Sequence, residues 1–518
     1  MTEEAATAIN APAMTSQQLP IAQADLFTWA QQNFQSPSHE QVRLNIAVDL
    51  QQASEVLECL AVLRWLPERR LVFTGLLDGA KVVVKLFVGA GSDRYAKRER
   101  EGSAALAAAG IATPNLLMDW QLTFNETRSQ THRALVFEYV DAIPVTAGLI
   151  DAQTVGFADF AQPLAQLNAA GYEHRDLHLG NLLYQTQQSA QLPGQIWLVD
   201  GDGVRKSRLA KSRRRGLQQF AALCAQAQRS LSETSIKAAW RCYCEQRGWV
   251  IEAGADDSVI EAVAVARRRR ILHYQAKTQR QCSAFFSFRE GSRRTLVNRH
   301  WLGLRTTAAT YSGSAALLEW LNELPAQFSE LPVIKAGNTA TLATAVWEDQ
   351  ELVIKRYNNK SAWHRLRRLL RRDRGLNSWI YGHTLDFVGI PTATPIALQR
   401  SRLAGPTYLV MTAAKGAELT AKHCENEAVL FDSCAQMLSA LGAEGIVHGD
   451  MKASNLLVMP AALPRTPGRI CVIDLDAMRM PRWRRARRSG EIRDKRRFLR
   501  NFASAPGAQQ RFRSILGL

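Results

Sequence analysis

The decapeptide HRDLHLGNLL at 174–183 returns as HGDMKASNLL at 448–457, with His, Asp and Asn at the first, third and eighth places of both. Each copy is followed by an apolar run that ends in aspartate, IWLVDGDGV at 196–204 and ICVIDLDAM at 470–478. A constant spacing of 274 residues separates His174 from His448, Asn181 from Asn455 and Asp200 from Asp474. Upstream of each copy lies an alternating, strand-like segment that holds a lysine: KVVVKLF with Lys85 and LVIKRY with Lys355, spaced by 270 residues. A pattern repeated at fixed spacing over this length means one domain present twice.

The order of elements is also shared. A β-rich stretch carries the lysine, a helix follows, then a Gly-Ile turn (GIATP at 110–114, GIPTATP at 389–395), a strand, and a helix that leads into the HxD loop. The expected fold class is α+β, as two tandem protein-kinase-like domains. Each has a small β-rich N-lobe over a larger helical C-lobe, with a cleft between. Expected bounds are a disordered lead-in at 1–20, the first domain at 21–300, a linker at 301–320 and the second domain at 321–518. Gly291, Ser292, Gly313, Ser314 and Pro325 punctuate the boundary region. A chain of 518 residues with 46% apolar and 22% charged residues has material for two cores.

The spacing H-x-D-x-x-x-x-N, followed by a strand-ending aspartate, is that of a kinase catalytic loop and its metal-binding aspartate. Phosphoryl transfer needs placement and positive charge more than covalent help. Asp176 is then the residue that orients or accepts the proton of the acceptor hydroxyl. Asn181 and Asp200 are candidates to hold Mg²⁺, and Lys85 to hold the phosphates of ATP. Asp450, Asn455, Asp474 and Lys355 fill these roles in the second copy. Asp202 and Asp476, two residues past the metal aspartates, are candidate supporting ligands. A lone HxD is usually no more than a capped turn; the full set in order, twice, is not. Neither copy has a glycine-rich phosphate loop, since Gly75, Gly79 and Gly337 read as hairpin turns.

These residues, with LRWLPERRLVFTG, REREGSAALAAAGIATP and KRYNNKSAWHRLRRLLRRDRGLNSW, resemble the lipopolysaccharide kinase family, the Kdo and heptose kinases of Gram-negative inner-core assembly. The resemblance runs from about residue 60 to the C-terminus. It implies a protein-kinase-like fold, ATP with Mg²⁺, and a core sugar hydroxyl as acceptor. It also places the helix glutamate that orients Lys85 at Glu99, eleven residues before Gly110, with Glu101 as the fallback. In the second copy that place is Ser378, so Lys355 has no obvious acidic partner on its helix. Lys452, two after Asp450, stands where many kinases carry a lysine that steadies the transferring phosphate; the first copy has His178 there. The first domain is therefore expected to be catalytic, and the second weakly active or a binding copy.

Lys and Arg number 65 against 47 Asp and Glu, a net charge of +18 that favours anionic partners. The basic residues cluster at 204–216, 364–375 and 478–501. Trp483, Phe498, Leu366, Leu369 and Leu370 lie among them, a composition suited to an anionic membrane surface. The lipopolysaccharide core oligosaccharide–lipid A acceptor is itself anionic. The expected location is cytoplasmic, peripheral to the inner membrane, since the N-terminus has no secretory pattern and no apolar run reaches the roughly 20 residues of a membrane span. The eight cysteines are scattered and read as reduced thiols. Two other classes compete: a pseudokinase scaffold for core assembly, and a small-molecule kinase whose cationic substrates would suit an acidic pocket. Nucleic-acid binding lacks any supporting motif.

Overall fold

Alternation decides the first sheet. In β4 (Ala80–Phe87), Val82, Val84 and Leu86 are buried on one face while Val83 and Lys85 sit half-buried on the other. Its neighbour β3 (Arg70–Leu77) joins it through Asp78–Gly79, both at positive φ (48° and 78°), the type I′ geometry that matches strand twist. With β1 (Leu44–Leu50), β2 (Ala53–Leu66), β5 (Leu116–Thr123) and β6 (Thr131–Glu138) they form an antiparallel sheet of order β1-β2-β3-β4-β6-β5.

The computed structural model describes residues 44–518 apart from 51–52, 67–68, 89–90, 124–130, 152–155, 187–193, 228–230, 252–253, 283, 303–311, 359–372, 402–404 and 461–468. The expected lead-in at 1–20, residues 303–311 of the expected linker, and the basic cluster at 364–372 with Leu366, Leu369 and Leu370 lie outside the described residues.

Two compact units make up the chain, Met1–Ile260 and Glu261–Leu518. In the first, α1 (Ser92–Ala108) lies between β4 and β5 in sequence and buries Ala96, Glu99, Gly102, Ser103 and Leu106, one face at helical spacing. Gly110, at φ 71°, ends this helix in the left-handed conformation. Beyond the sheet come β7 (Ile143–Pro144), α2 (Ala147–Asp151), α3 (Phe157–Ala169), β8 (Tyr172–His174), β9 (Leu182–Gln185), β10 (Gln195–Leu198) and β11 (Val204–Lys206). Then α4 (Arg213–Cys224) and α5 (Glu233–Gln246) pack with α3. Their core is aromatic: Trp240 stacks on Tyr243 at 5.1 Å, Phe220 tilts against both, and the Tyr243 hydroxyl donates to Asn168 Oδ1 at 2.7 Å. Burial pushes the Tyr243 pKa up to about 12, so the donor keeps its proton.

The second unit holds most of α6 (Ala255–Lys277), then β12 (Phe285–Glu290), β13 (Arg293–Asn298), α7 (Ser312–Gln327), β14 (Val333–Ala336), β15 (Ala340–Trp347) and β16 (Gln350–Tyr357). After α8 (Arg374–Phe387) come β17 (Pro395–Ser401) and β18 (Thr407–Thr412), completing a sheet of order β12-β13-β17-β18-β16-β15-β14. The lysine strand sits alike in both sheets: β2-β3-β4-β6-β5 and β14-β15-β16-β18-β17 have one connectivity. One face of the second sheet is covered by Leu317, Leu321 and Leu324 of α7. Against another part pack Trp379 and, from α6, Tyr274. His383 is buried edge-on against Phe285 and Trp379, and the loss of solvent lowers its pKa to about 3. The division falls at Ile260/Glu261, and β13 pairs with β17, so the β12–β13 hairpin belongs to the second unit's sheet.

The rest of the second unit is β19 (Ala417–Glu418), α9 (Ala421–Asn426), α10 (Val429–Ala443), β20 (Leu456–Val458), β21 (Ile470–Val472), α11 (Arg484–Arg500) and α12 (Pro506–Leu516). Phe431, Phe498, Phe502 and Phe512 meet in its helical core. Phe498 is therefore a core residue and not part of a lipid-facing surface, whereas Trp483 is 69% exposed. Cys224, Cys242, Cys244, Cys282, Cys424, Cys434 and Cys471 are free thiols. Among the described residues no helix is long and apolar enough to cross a membrane.

Candidate active site

In the first unit four elements converge on one cluster. Lys85, from the half-buried face of β4, places Nζ 2.5 Å from Oε1 of Glu99 and 3.6 Å from Oδ1 of Asp200. Glu99 is fully buried on the inner face of α1. Its carboxylate also accepts the backbone N–H groups of Gly201 at 3.0 Å and Asp202 at 3.1 Å, so it ties helix, lysine and loop together. Glu101, the fallback, is exposed and pairs with Lys97 at 3.8 Å.

Close packing of helix and loop requires glycine. A Cβ on Gly102 would lie 1.9 Å from the carbonyl oxygen of Gly201. The loop itself starts with Asp200 in the left-handed region, φ 72°, an uncommon conformation for a residue with a side chain. That turn aims the carboxylate at Lys85 and at Arg70, whose Nη1 is 3.3 Å from Oδ1. Burial would raise the Asp200 pKa, but Lys85 and Arg70 overcome it and hold the carboxyl well below the usual range. Burial raises the pKa of Glu99, and Lys85 opposes that shift.

The HxD loop is held from beneath. His174 Nε2 donates to the Asp200 carbonyl at 3.0 Å, and burial lowers the His174 pKa. Asn181 donates from Nδ2 to the Asp176 carbonyl at 3.0 Å, and the Asn181 carbonyl accepts from Val199 N at 2.9 Å. Gln226 pins the loop from α4's far end, accepting from Leu179 N at 3.1 Å and donating to the Leu177 carbonyl at 2.8 Å. Asp176 is exposed, and its carboxylate takes no hydrogen-bond or ion-pair partner among the described residues. Asp202 faces Arg98 at 3.1 Å and Arg205 at 3.6 Å, a charge pairing that competes with the supporting metal role expected for it.

The second unit repeats the loop and changes the helix. Asn455 Nδ2 donates to the Asp450 carbonyl at 2.8 Å, His448 Nε2 donates to the Ile473 carbonyl at 3.2 Å, and Asp474 has φ 59°. Lys355 reaches Asp474 directly, Nζ to Oδ1 2.5 Å, with Asp476 at 3.9 Å. Burial works against the Lys355 ammonium, yet Tyr357, Asp474 and Asp476 outweigh it and raise the pKa. Ser378, where a glutamate is missing, bonds to the Tyr357 hydroxyl at 2.8 Å and supplies no charge. The helix–loop ties are instead Asn377, which donates to the carbonyls of Asp476 at 3.0 Å and Met478 at 2.8 Å, and Arg374, whose Nε donates to Asp476 Oδ2 at 2.8 Å. Where Glu99 accepts from the loop, Asn377 donates to it.

Asp450 differs from Asp176 in being paired. Lys452 Nζ lies 2.9 Å from Oδ2, and Arg497 of α11 lies 2.5 Å from Oδ1. From the same helix, the buried Asp494 accepts the N–H groups of His448 at 2.7 Å and Gly449 at 3.0 Å.

In both loops the oxygen donors suit a hard divalent cation. Asn181 and Asn455 commit their amide nitrogens to the loop, so the amide oxygen is the atom left for a metal beside Asp200 or Asp474. Among the described residues no cluster of three His, Cys, Asp or Glu side chains could hold a metal unaided. One carboxylate and one amide is the sparse protein share expected when nucleotide phosphates and water complete the shell of Mg²⁺.

No family model matches the chain, and no curated protein matches it. Among solved structures the chain is similar to one titled "WaaP in complex with acyl carrier protein", with 20% sequence identity and a TM-score of 0.29. That alignment covers 40% of this chain and 88% of the other.

Sequence reasoning missed Arg70, Gln226, Asn377 and Asp494. Asp494 had a signal, since it and Glu491 are the only acids in the arginine-rich stretch at 484–500. Of the two, Asp494 is the buried one. Arg70, Gln226 and Asn377 had none, because their partners lie distant in sequence and those of Gln226 and Asn377 are backbone atoms.

Proposed function

We propose that the chain is an ATP- and Mg²⁺-dependent phosphotransferase of protein-kinase-like type, in two tandem domains. Its acceptor would be a sugar hydroxyl of the lipopolysaccharide inner core, met at the cytoplasmic face of the inner membrane. The observation that carries the reading is the Lys85–Glu99–Asp200 cluster, set beside an Asn181 that is tied to the backbone of Asp176. Lys85, fixed by Glu99, is placed to hold nucleotide phosphates. Asp200 and Asn181 would hold the cation, which neutralises phosphate charge when bound. Asp176 is exposed and has no partner among the described residues, which leaves it able to meet an acceptor hydroxyl and orient or take its proton.

The acceptor class rests on the resemblance to the lipopolysaccharide kinases and on basic surface chemistry. Arg484, Arg485, Arg488, Arg493, Arg496 and Arg500 are exposed on α11, next to the exposed Trp483. Arginine forks bind phosphorylated saccharide or lipid headgroups, and an exposed tryptophan suits a membrane interface.

A binding role for the second unit has its own support. Asp450 is already held by two cations, whereas Asp176 is free to act. The deciding experiment follows labelled phosphate from ATP to purified inner-core lipopolysaccharide acceptors, for wild type, Asp176→Asn and Asp450→Asn. Asp176→Asn is expected to lower the rate roughly 10²–10⁴-fold, the usual cost of a positioned base, and Asp450→Asn far less. The converse result would move catalysis to the second unit. No transfer by wild type to any core acceptor would end the acceptor assignment.

A further inference from the structure

In kinases a glycine-rich hairpin covers the nucleotide phosphates with backbone N–H groups. Here the hairpin preceding the lysine strand is β2–β3, whose register closes with Leu66 opposite Arg70. It holds no glycine: the residues from Leu66 to Arg70 read LPERR. Gly79, by contrast, belongs to the β3–β4 turn.

Arg70 turns its guanidinium inward. Nη1 lies 3.3 Å from Asp200 Oδ1 and 3.9 Å from Glu99 Oε2, and the side chain is only 12% exposed. Its Cζ sits 5.9 Å from the centroid of Phe87, its partner across the β3–β4 ladder, which limits the directions the arginine can take. Two cations, Lys85 and Arg70, therefore face the two carboxylates. In the second unit the cation beside Lys355 comes from α8 and not from the hairpin: Arg374 donates from Nε to Asp476 Oδ2 at 2.8 Å, with its Cζ 5.6 Å from the centroid of Tyr357. Ala340 pairs with Tyr357 as Arg70 pairs with Phe87. The hairpin there carries Gly337, whose carbonyl accepts from Asn358 Nδ2 at 3.0 Å.

We propose that Arg70 is a phosphate-binding residue of the first unit, a side chain doing from the hairpin what backbone amides do elsewhere. The inference rests on the phosphotransferase reading of the site. In the nucleotide-free chain the guanidinium neutralises Asp200. A divalent cation on Asp200 would repel it, and the nearest anion for it to take is then a nucleotide phosphate. The planar fork can bind two phosphate oxygens at once, which the compact ammonium of lysine cannot.

The test is titration calorimetry of the full-length chain with Mg·ATP and Mg·ADP, and with adenosine by competition, in a Lys355→Met background that removes the second site's lysine. Arg70→Ala should weaken both phosphorylated ligands by about 10- to 100-fold, as expected for loss of charge-assisted hydrogen bonds, and leave adenosine unchanged. Arg70→Lys should fall between, and it keeps a cation beside Asp200 and Glu99 should the alanine variant fail to fold. Arg70→Ala and Arg70→Lys binding Mg·ATP as tightly as the parent, or tighter, would show that Arg70 only neutralises Asp200 and would overturn the proposal alone. Equal weakening of all three ligands would make Arg70 structural and would also overturn it. A parent chain that binds no nucleotide would overturn the phosphotransferase reading itself, and this inference with it.

Discussion

At the scale of single residues, charge burial divides the second unit's histidines from its carboxylates. His383 is fully buried among aromatic rings, and its Nε2 finds no hydrogen bond among the described residues. Its folded pKa of about 3 lies below the unfolded value near 6.5. The depressed value means that its contribution to stability is present above pH 6.5 and is lost as pH falls towards 3, because only the unfolded chain gains the proton. Wild type should therefore lose thermal stability faster on acidification than His383→Phe, which keeps a ring and cannot titrate. Melting curves at several pH values between 7 and 4 that stay parallel for the two proteins would refute this. Spacing made the candidates readable: Asp176, Asn181 and Asp200 recur after 274 residues and Lys85 after 270, an ordered set that the structure brings together in each unit. Arg70 was not readable, because its meaning depends on a contact 130 residues away.

Elements were legible where a period marks them. The lysine strands alternate, and the structure makes both of them strands. The strength of the α1–loop contact was not legible, since a glycine in REREGSAAL looks like a weak point in a helix rather than a fitted surface. Gly102→Ala tests it. Alanine favours the helix by about 1 kcal/mol in isolation, yet its Cβ would collide with the backbone of Gly201, and overpacking of this kind costs roughly 1–3 kcal/mol. A net loss of stability is expected in urea unfolding, together with weaker Mg·ATP binding as Glu99 and the loop separate. A more stable Gly102→Ala would mean that the helix and loop part easily.

For the whole molecule the repeat predicts two bodies, and the chain has two compact units, Met1–Ile260 and Glu261–Leu518. A strand's allegiance is set by its partner, and β13 finds its partner β17 about a hundred residues downstream, where no local signal reaches. A fragment of residues 255–518 should then unfold cooperatively. A fragment of 321–518, the boundary read from turns and glycines, lacks β12, β13, α7's first turns and the α6 residues Ile271 and Tyr274 that join the second unit's cores. It should show a broad transition or aggregate, as followed by circular dichroism in urea; equal cooperativity of the two would place the boundary at the later position. The opposite polarity of the two helix–loop ties reaches further, into how such a gene can change. If recombination between the repeats copied the segment of Glu99 into the second half without its loop, Arg98 and Glu99 would take the places of Asn377 and Ser378, and the side-chain amide that donates to the carbonyls of Asp476 and Met478 would be lost. Helix and loop must be inherited as a pair. The two halves are thereby shielded from being homogenised piecemeal, and each is left to drift along its own course.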